Sequence, residues 1–98
     1  MLSRIKKQVQ DIDPTAHIIL YGSRARGDEK PDSDWDLLIL VDSFVDIKTE
    51  QIFRHRLFDV ELELGEAFST FVYNEHEWKS KYWMTPQYKN ISKEGIII

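Results

Sequence analysis

Residues 20–42 read Leu-Tyr-Gly-Ser-Arg-Ala-Arg-Gly-Asp-Glu-Lys-Pro-Asp-Ser-Asp-Trp-Asp-Leu-Leu-Ile-Leu-Val-Asp, and this stretch decides the fold. It holds the end of one apolar run, a Gly-Ser turn, a polar return, and a second apolar run entered through two aspartates. His17 to Tyr21 (HIILY) is short and β-branched, which predicts a buried strand. Trp35 to Val41 (WDLLILV) is nearly continuous apolar sequence, the pattern of a central strand covered on both faces. Between them, Gly22-Ser23 ends the first strand, and Ser23 can cap a short helix through roughly Asp28. Glu29 to Ser33, with Pro31, is the loop that brings the chain back.

The same reading extends outward in both directions. Leu2, Ile5, Val9 and Ile12 recur at steps of three and four, an amphipathic first helix that Asp13-Pro14 stops. Asp46 to Leu64 is predicted helical, with Phe53, Leu57, Val60 and Leu64 on one stripe, and Ala67 to Tyr73 a third strand. Asn74 with Glu77 resembles a capping box ahead of Trp78 and Tyr82. Thr85-Pro86 opens a last helix and Gly95 closes it. The order α-β-α-β-α-β-α-α predicts an α+β, two-layer fold: a small mixed sheet with helices packed against it. Trp78, Tyr82, Trp83 and Tyr88 are expected mostly in the core or between helices, and Ile96-Ile97-Ile98 is expected to dock on the body, with a partner surface as the lesser alternative.

Composition bounds the function. The 98 residues suit one domain, here residues 1–98, with 42% hydrophobic and 31% charged residues, ordinary for a globular chain. The formal net charge is −4 and no dense Lys/Arg block occurs, so nucleic acid is a poor partner. The absence of cysteine removes disulfides, thiolate zinc sites and Cys nucleophiles. No apolar run approaches membrane-spanning length, so a membrane is not expected and a cytoplasmic location is the default.

The chemistry concentrates at the turn and the aspartates. Gly22 lacks a Cβ, so a phosphate can approach its backbone closely, and positive φ costs it little. Free N–H groups of the following turn would face such an anion, and Ser23 adds a hydroxyl donor. Taken alone, Gly-Ser is more often a plain strand-to-helix cap. Asp34 and Asp36 emerge on one side of the strand, about 6.6–7 Å apart at Cα. Two such carboxylates can hold hard divalent cations. In isolation, a D-x-D pair more often just solvates a strand end. Together the two features place phosphate donors and metal ligands at adjacent strand ends, where ligands gather in sheets of this kind. Arg24 and Arg26 either contact phosphate oxygens or pair with Asp28 or a strand aspartate.

Two look-alikes fail. Gly22 to Gly27 has the spacing that begins a P-loop but continues Asp28-Glu29 where Lys-Ser/Thr is needed. Asp32 to Asp36 begins like an EF-hand, but Leu37 and Ser43 stand where Gly and Glu are required. His17, His55 and His76 share no metal-ligand spacing, and His55 between two arginines reads as a solvated face.

Gly22-Ser23, ten intervening residues and Asp34-Trp35-Asp36 resemble the G-S-x(n)-D-x-[DE] signature of the polymerase-beta-like nucleotidyltransferase superfamily. The fuller Gly-Ser-Arg-Ala-Arg-Gly-Asp…Ser-Asp-Trp-Asp-Leu is similar to its small stand-alone branch, the minimal nucleotidyltransferases. The resemblance implies that Gly22, Ser23 and Arg24 hold a nucleoside triphosphate, ATP or another NTP, and that catalytic Asp34 and Asp36 hold Mg²⁺. It implies transfer of a nucleoside monophosphate to an acceptor hydroxyl, with a helical HEPN-type protein as partner in a toxin–antitoxin pair, and it leaves a homodimer open. It also implies a third carboxylate on the following strand. Ser69 or Thr70 stands there instead, and Glu61, Glu63, Glu66 and Glu75 lie nearby in sequence without a clear register. That departure supports a rival reading: a catalytically weak or inactive nucleotide-binding antitoxin or regulatory subunit. A third reading is a small-molecule nucleotidyltransferase with a separate substrate-binding subunit.

Overall fold

The computed structural model describes residues 1–98. Nine elements follow in order: α1 (Leu2–Ile12), β1 (His17–Tyr21), α2 (Ser23–Arg26), β2 (Trp35–Val41), α3 (Ile47–Leu64), β3 (Phe68–Asn74), α4 (Glu75–Lys81), α5 (Pro86–Glu94) and β4 (Ile96–Ile97). The sheet order is β3-β2-β1-β4. Strand β1 runs antiparallel to both β2 and β4, whereas β2 and β3 are parallel and joined across α3. The sheet is therefore mixed, as the sequence predicts.

Strand β2 sits at the centre because it can be buried on both sides: Leu37 through Val41 are all buried. Alternation divides these residues between two clusters. Leu37, Ile39 and Val41 join Ile5 and Val9 of α1, Phe53 and Leu57 of α3, and Val72 in the larger core. Leu38 and Leu40 face the other way, against Trp78 of α4 and Ile91 of α5. Tyr73, Trp78, Tyr82 and Tyr88 stack around that second cluster with ring centroids 5.0–5.9 Å apart.

Local signals set most boundaries. Asp46 caps α3 by accepting from Thr49 N, Asn74 caps α4 by accepting from Glu77 N, and Thr85 caps α5 ahead of Pro86. Helix α2 stops at Arg26, short of Asp28, because Gly27 turns left-handed at φ 82. Strand β3 lies one residue later than the expected Ala67 to Tyr73.

Two expectations are corrected. Trp83 is 54% exposed and belongs to neither core cluster. The terminal isoleucines dock chiefly through their backbone. Ile96 and Ile97 form a fourth strand, paired with Leu20 and Ile19, and keep exposed side chains. Only Ile98 packs partly on the larger core. Leu64, the last residue of the α3 stripe, stays at the rim. No helix is long and apolar enough to cross a membrane.

Candidate functional site

Register brings the predicted residues together. Tyr21, the last residue of β1, pairs with Asp36, the second residue of β2. Gly22 then leaves β1 at φ 75, a conformation that glycine adopts without steric penalty. Its Cα packs directly against the Asp36 side chain: a Cβ there would lie 3.1 Å from Asp36 Cγ and nearer still to Oδ2. The turn after β1 and the carboxylate on β2 are thus one surface.

Helix α2 is a single turn. Its first intrahelical donors are the N–H groups of Ala25 and Arg26, both bonded to Gly22 O. The N–H groups of Ser23 and Arg24 precede those bonds and stay available to a ligand. Gly22 and Ser23 therefore sit at the open N-terminal side of this turn.

The return loop is pinned from its own side. Lys30 N donates to Ser33 Oγ at 2.9 Å, and Ser33 N to Lys30 O at 3.0 Å. Arg24 donates from Nε and Nη2 to Ser33 O at 3.3 and 2.9 Å. Its guanidinium lies 4.5 Å from the Trp35 ring centroid and 3.7 Å from Glu66, which also faces Trp35 Nε1 at 3.4 Å. Trp35 alternates away from Asp36, so this cluster occupies the opposite face of the sheet. The Arg24 Nε and Nη2 are thus engaged by the return loop one residue ahead of Asp34.

Arg26 is the arginine on the carboxylate side. It pairs with Asp28 at 3.2 Å, one of the alternatives the sequence leaves open, and with Glu94 of α5 at 3.1 Å. Asp34, just ahead of β2, and half-buried Asp36 form the acidic pair. Burial raises the Asp36 carboxyl above its ordinary value; the charge of Asp34 adds to this, Arg26 opposes it and Glu94 reinforces it. A carboxylate that its neighbours push toward protonation is one that a cation relieves. Two hard oxygen donors suit Mg²⁺, which takes one or two protein carboxylates and completes its shell with phosphate oxygens and water. No third His, Cys, Asp or Glu converges to form a closed cage.

Parallel pairing resolves the position of the expected third carboxylate. Ser69 is the register partner of Asp36 and shares its face, whereas Thr70 pairs with Leu37 and is buried toward the larger core. The four nearby glutamates are engaged elsewhere. Glu61 accepts from Phe68 N at 3.3 Å, Glu63 pairs with Arg4, Glu66 lies behind Trp35, and Glu75 pairs with His17 at 3.1 Å. Sequence reasoning missed Tyr21 and Glu94. Tyr21 could have been found from its place before Gly22 in the β1–β2 pair, whereas no local pattern marks Glu94, which arrives through long-range register. The aspartates stand on an open shelf; the largest depression, about 360 Å³ between α3 and β3, is lined by neither.

Comparison with known proteins agrees with this geometry. The family model of the nucleotidyltransferase domain matches residues 2–98. No curated protein matches the chain in sequence. Among solved structures, a chain from a toxin–antitoxin crystallised with AMP-PNP superposes with a TM-score of 0.71 at 19% identity, covering 97% of this chain and 69% of that one. A chain from a mutant of the toxin–antitoxin MntA-HpeT gives 0.70 at 17%, again over 97% and 69%. At such identities the likeness concerns the fold, whereas the family match rests on the sequence of nearly the whole chain. That match over residues 2–98 decides the assignment: the chain belongs to the nucleotidyltransferase domain family and is an enzyme of the nucleotidyltransferase type.

Proposed function

We propose that residues 1–98 act as one nucleotidyltransferase domain that moves a nucleoside monophosphate from a triphosphate, ATP first among them, to a hydroxyl on a protein partner. The observation that carries this reading is the contact between Gly22 and Asp36, which makes the phosphate turn and the metal-binding carboxylates a single surface. Gly22 and the free N–H groups of Ser23 and Arg24 receive phosphate oxygens, and Ser23 adds its hydroxyl. Asp34 and Asp36 hold Mg²⁺, which when bound offsets the charge that develops on the transferred phosphoryl group. The chain's own residues contribute positioning and electrostatic complementarity, which supply most of the rate in reactions of this class.

The open shelf favours an acceptor presented by another macromolecule. Both structural relatives come from toxin–antitoxin complexes, and one was solved with AMP-PNP. Those relatives support an adenine nucleotide and a protein partner here; we take a helical HEPN-type toxin as the first candidate partner and the cytoplasm as the setting. The mutated relative carries two aspartate-to-glutamate changes spaced two residues apart, the spacing of Asp34 and Asp36.

Ser69 favours a second reading. A hydroxyl beside Asp36 cannot take the acceptor's proton near neutral pH. Without a base from the partner, the chain would be a nucleotide-binding antitoxin with slow turnover. Calorimetric titration with Mg·ATP, followed by label transfer from α-³²P-ATP to a co-purified partner, separates the two. Binding with transfer supports the enzyme, and binding without transfer supports the regulatory subunit. Absence of Mg²⁺-dependent binding overturns both.

A further inference from the structure

The carboxylate side of the phosphate turn has an unusual balance of charge. Asp34 and Asp36 line it, and Glu94 of α5 reaches it through Arg26. Of the two arginines in α2, Arg24 faces the other side of the sheet, which leaves Arg26 as the turn's cation. Its Nη1 is held by both Glu94 oxygens, at 3.1 and 3.2 Å. A triphosphate adds several negative charges at this place, so the guanidinium that opposes them matters.

Glu94 arrives there from the far end of the chain, and three features fix it. Gly95 N closes α5 on Ile91 O at 2.7 Å. Gly95 is pressed so closely on β1 that a Cβ would meet Ile19 Cγ2 at 2.6 Å. Strand β4 then pairs Ile96 with Leu20 and Ile97 with Ile19. Continuing that antiparallel register outward by two residues sets Glu94 beside Gly22, across β1 from β2. The Glu94 side chain is 23% exposed and Arg26 is 46% exposed, so the pair is fixed in place yet open to an incoming ligand.

We propose that Glu94 is a stand-in for the nucleotide's phosphates: its carboxylate holds Arg26 at the mouth of the Gly22 turn, and triphosphate binding passes Arg26 from Glu94 to a phosphate oxygen. This rests on the reading of the turn as a nucleotide site. Carboxylate and phosphate present similar oxygen pairs to a guanidinium, and phosphate brings the greater charge. Arg26 becomes a triphosphate-binding residue, and Glu94 a competitor that keeps its guanidinium ordered in the empty protein. The C-terminal segment is thereby coupled to occupancy of the turn.

The test is calorimetric titration of the full chain with Mg·ATP in four forms: wild type, Glu94→Gln, Arg26→Gln and the double variant. Thermal melts without nucleotide confirm that each is folded, and Arg26→Lys replaces Arg26→Gln if the latter is not. Glu94→Gln should tighten binding about two- to fivefold, the range of a partly exposed ion pair. Arg26→Gln should weaken it about tenfold or more. In the Arg26→Gln background, Glu94→Gln should bring little further gain, because Glu94 acts through Arg26. An equal gain in both backgrounds would mean plain charge repulsion and overturn the proposal. So would a loss of affinity in Glu94→Gln, which would mean that the ion pair is the productive arrangement. Wild-type protein that does not bind Mg·ATP removes the nucleotide reading itself and this inference with it, a result distinct from either.

Discussion

The Asp36 carboxylate occupies the space that a side chain at Gly22 would need. Residue 22 is therefore bound to glycine twice over, by its φ of 75 and by its neighbour. The two residues lie on different strands' ends and contribute to different chemistry, yet neither position can change without the other responding.

Gly22→Ala should destabilise the protein on both counts. A φ of 75 with ψ −157 is a region almost reserved for glycine and costs another residue about 1–3 kcal/mol, and crowding adds about 1–3 kcal/mol. Adding Asp36→Ala should recover the crowding part only, leaving a double variant that melts between wild type and Gly22→Ala. Equal melting temperatures for Gly22→Ala and wild type would mean that the turn is not held against β2.

Asp34→Asn and Asp36→Asn should each abolish Mg²⁺-dependent nucleotide binding without unfolding the protein. Burial and then Asp34 raise the Asp36 carboxyl in the folded state. A raised folded value means that the stabilising contribution is complete at low pH and is lost as pH rises through that value. Asp36→Asn removes the dependence, so the metal-free protein at neutral pH should melt at the wild-type temperature or above it. Intact Mg·ATP affinity in both variants, read by calorimetry, would sink the metal site.

Ser69→Asp should raise Mg²⁺-dependent transfer, because it restores a carboxylate beside Asp36; general-base help is worth about 10²–10⁴ in rate. Thr70→Asp should only destabilise, since Thr70 is buried toward Leu37 and an unpaired carboxylate there costs several kcal/mol, roughly. Transfer assays and melts on the pair check this. Gain of activity in Thr70→Asp alone would reverse the facing of β3.

Arg24→Ala should lower the melting temperature, with a destabilisation of about 1–3 kcal/mol from its bonds to Ser33 and its stack on Trp35. Its effect on nucleotide affinity should follow loop order, so a change that stiffens the loop, such as Glu29→Pro, should recover part of it. A large loss of affinity with unchanged melting would return Arg24 to direct phosphate contact.

Asp46 caps α3 through the Thr49 backbone N–H and hydroxyl, which hold its carboxyl below the ordinary value. That stabilisation is present above the unfolded-state value and is lost as pH falls through the folded one. Asp46→Ala should melt below wild type near neutral pH, and the gap should close as pH falls below the ordinary carboxylate range. A gap that persists in acid would point to packing in place of the cap.

Much of this structure is legible from local chemistry. The caps at Asn74 and Thr85 and the strands at His17–Tyr21 and Trp35–Val41 follow from short-range signals and appear where those signals put them. Gly22 and Asp36 can be paired because a short polar return ties their strands together. What stays hidden depends on register between distant segments. Ser69 and Thr70 cannot be told apart until β3 is aligned on β2, and nothing around Ile96 announces a strand. The Arg24 side chain is opaque for the same reason, because its partners, Trp35 and Glu66, come together only when two loops meet.

The sheet order also bears on how the molecule assembles. Strands β1 and β2 are neighbours in sequence, whereas Leu20 finds Ile96 only after almost the entire chain has been traversed. Loop-closure entropy places the first pairing early and the second late. The two-residue β4, with few bonds and exposed side chains, should also be the first part of the sheet to open under native conditions. Amide exchange should accordingly run fastest at Ile96–Ile98 and slowest at Leu37–Val41, so that the Gly22–Asp36 shelf exists both before the last strand closes and after it lets go.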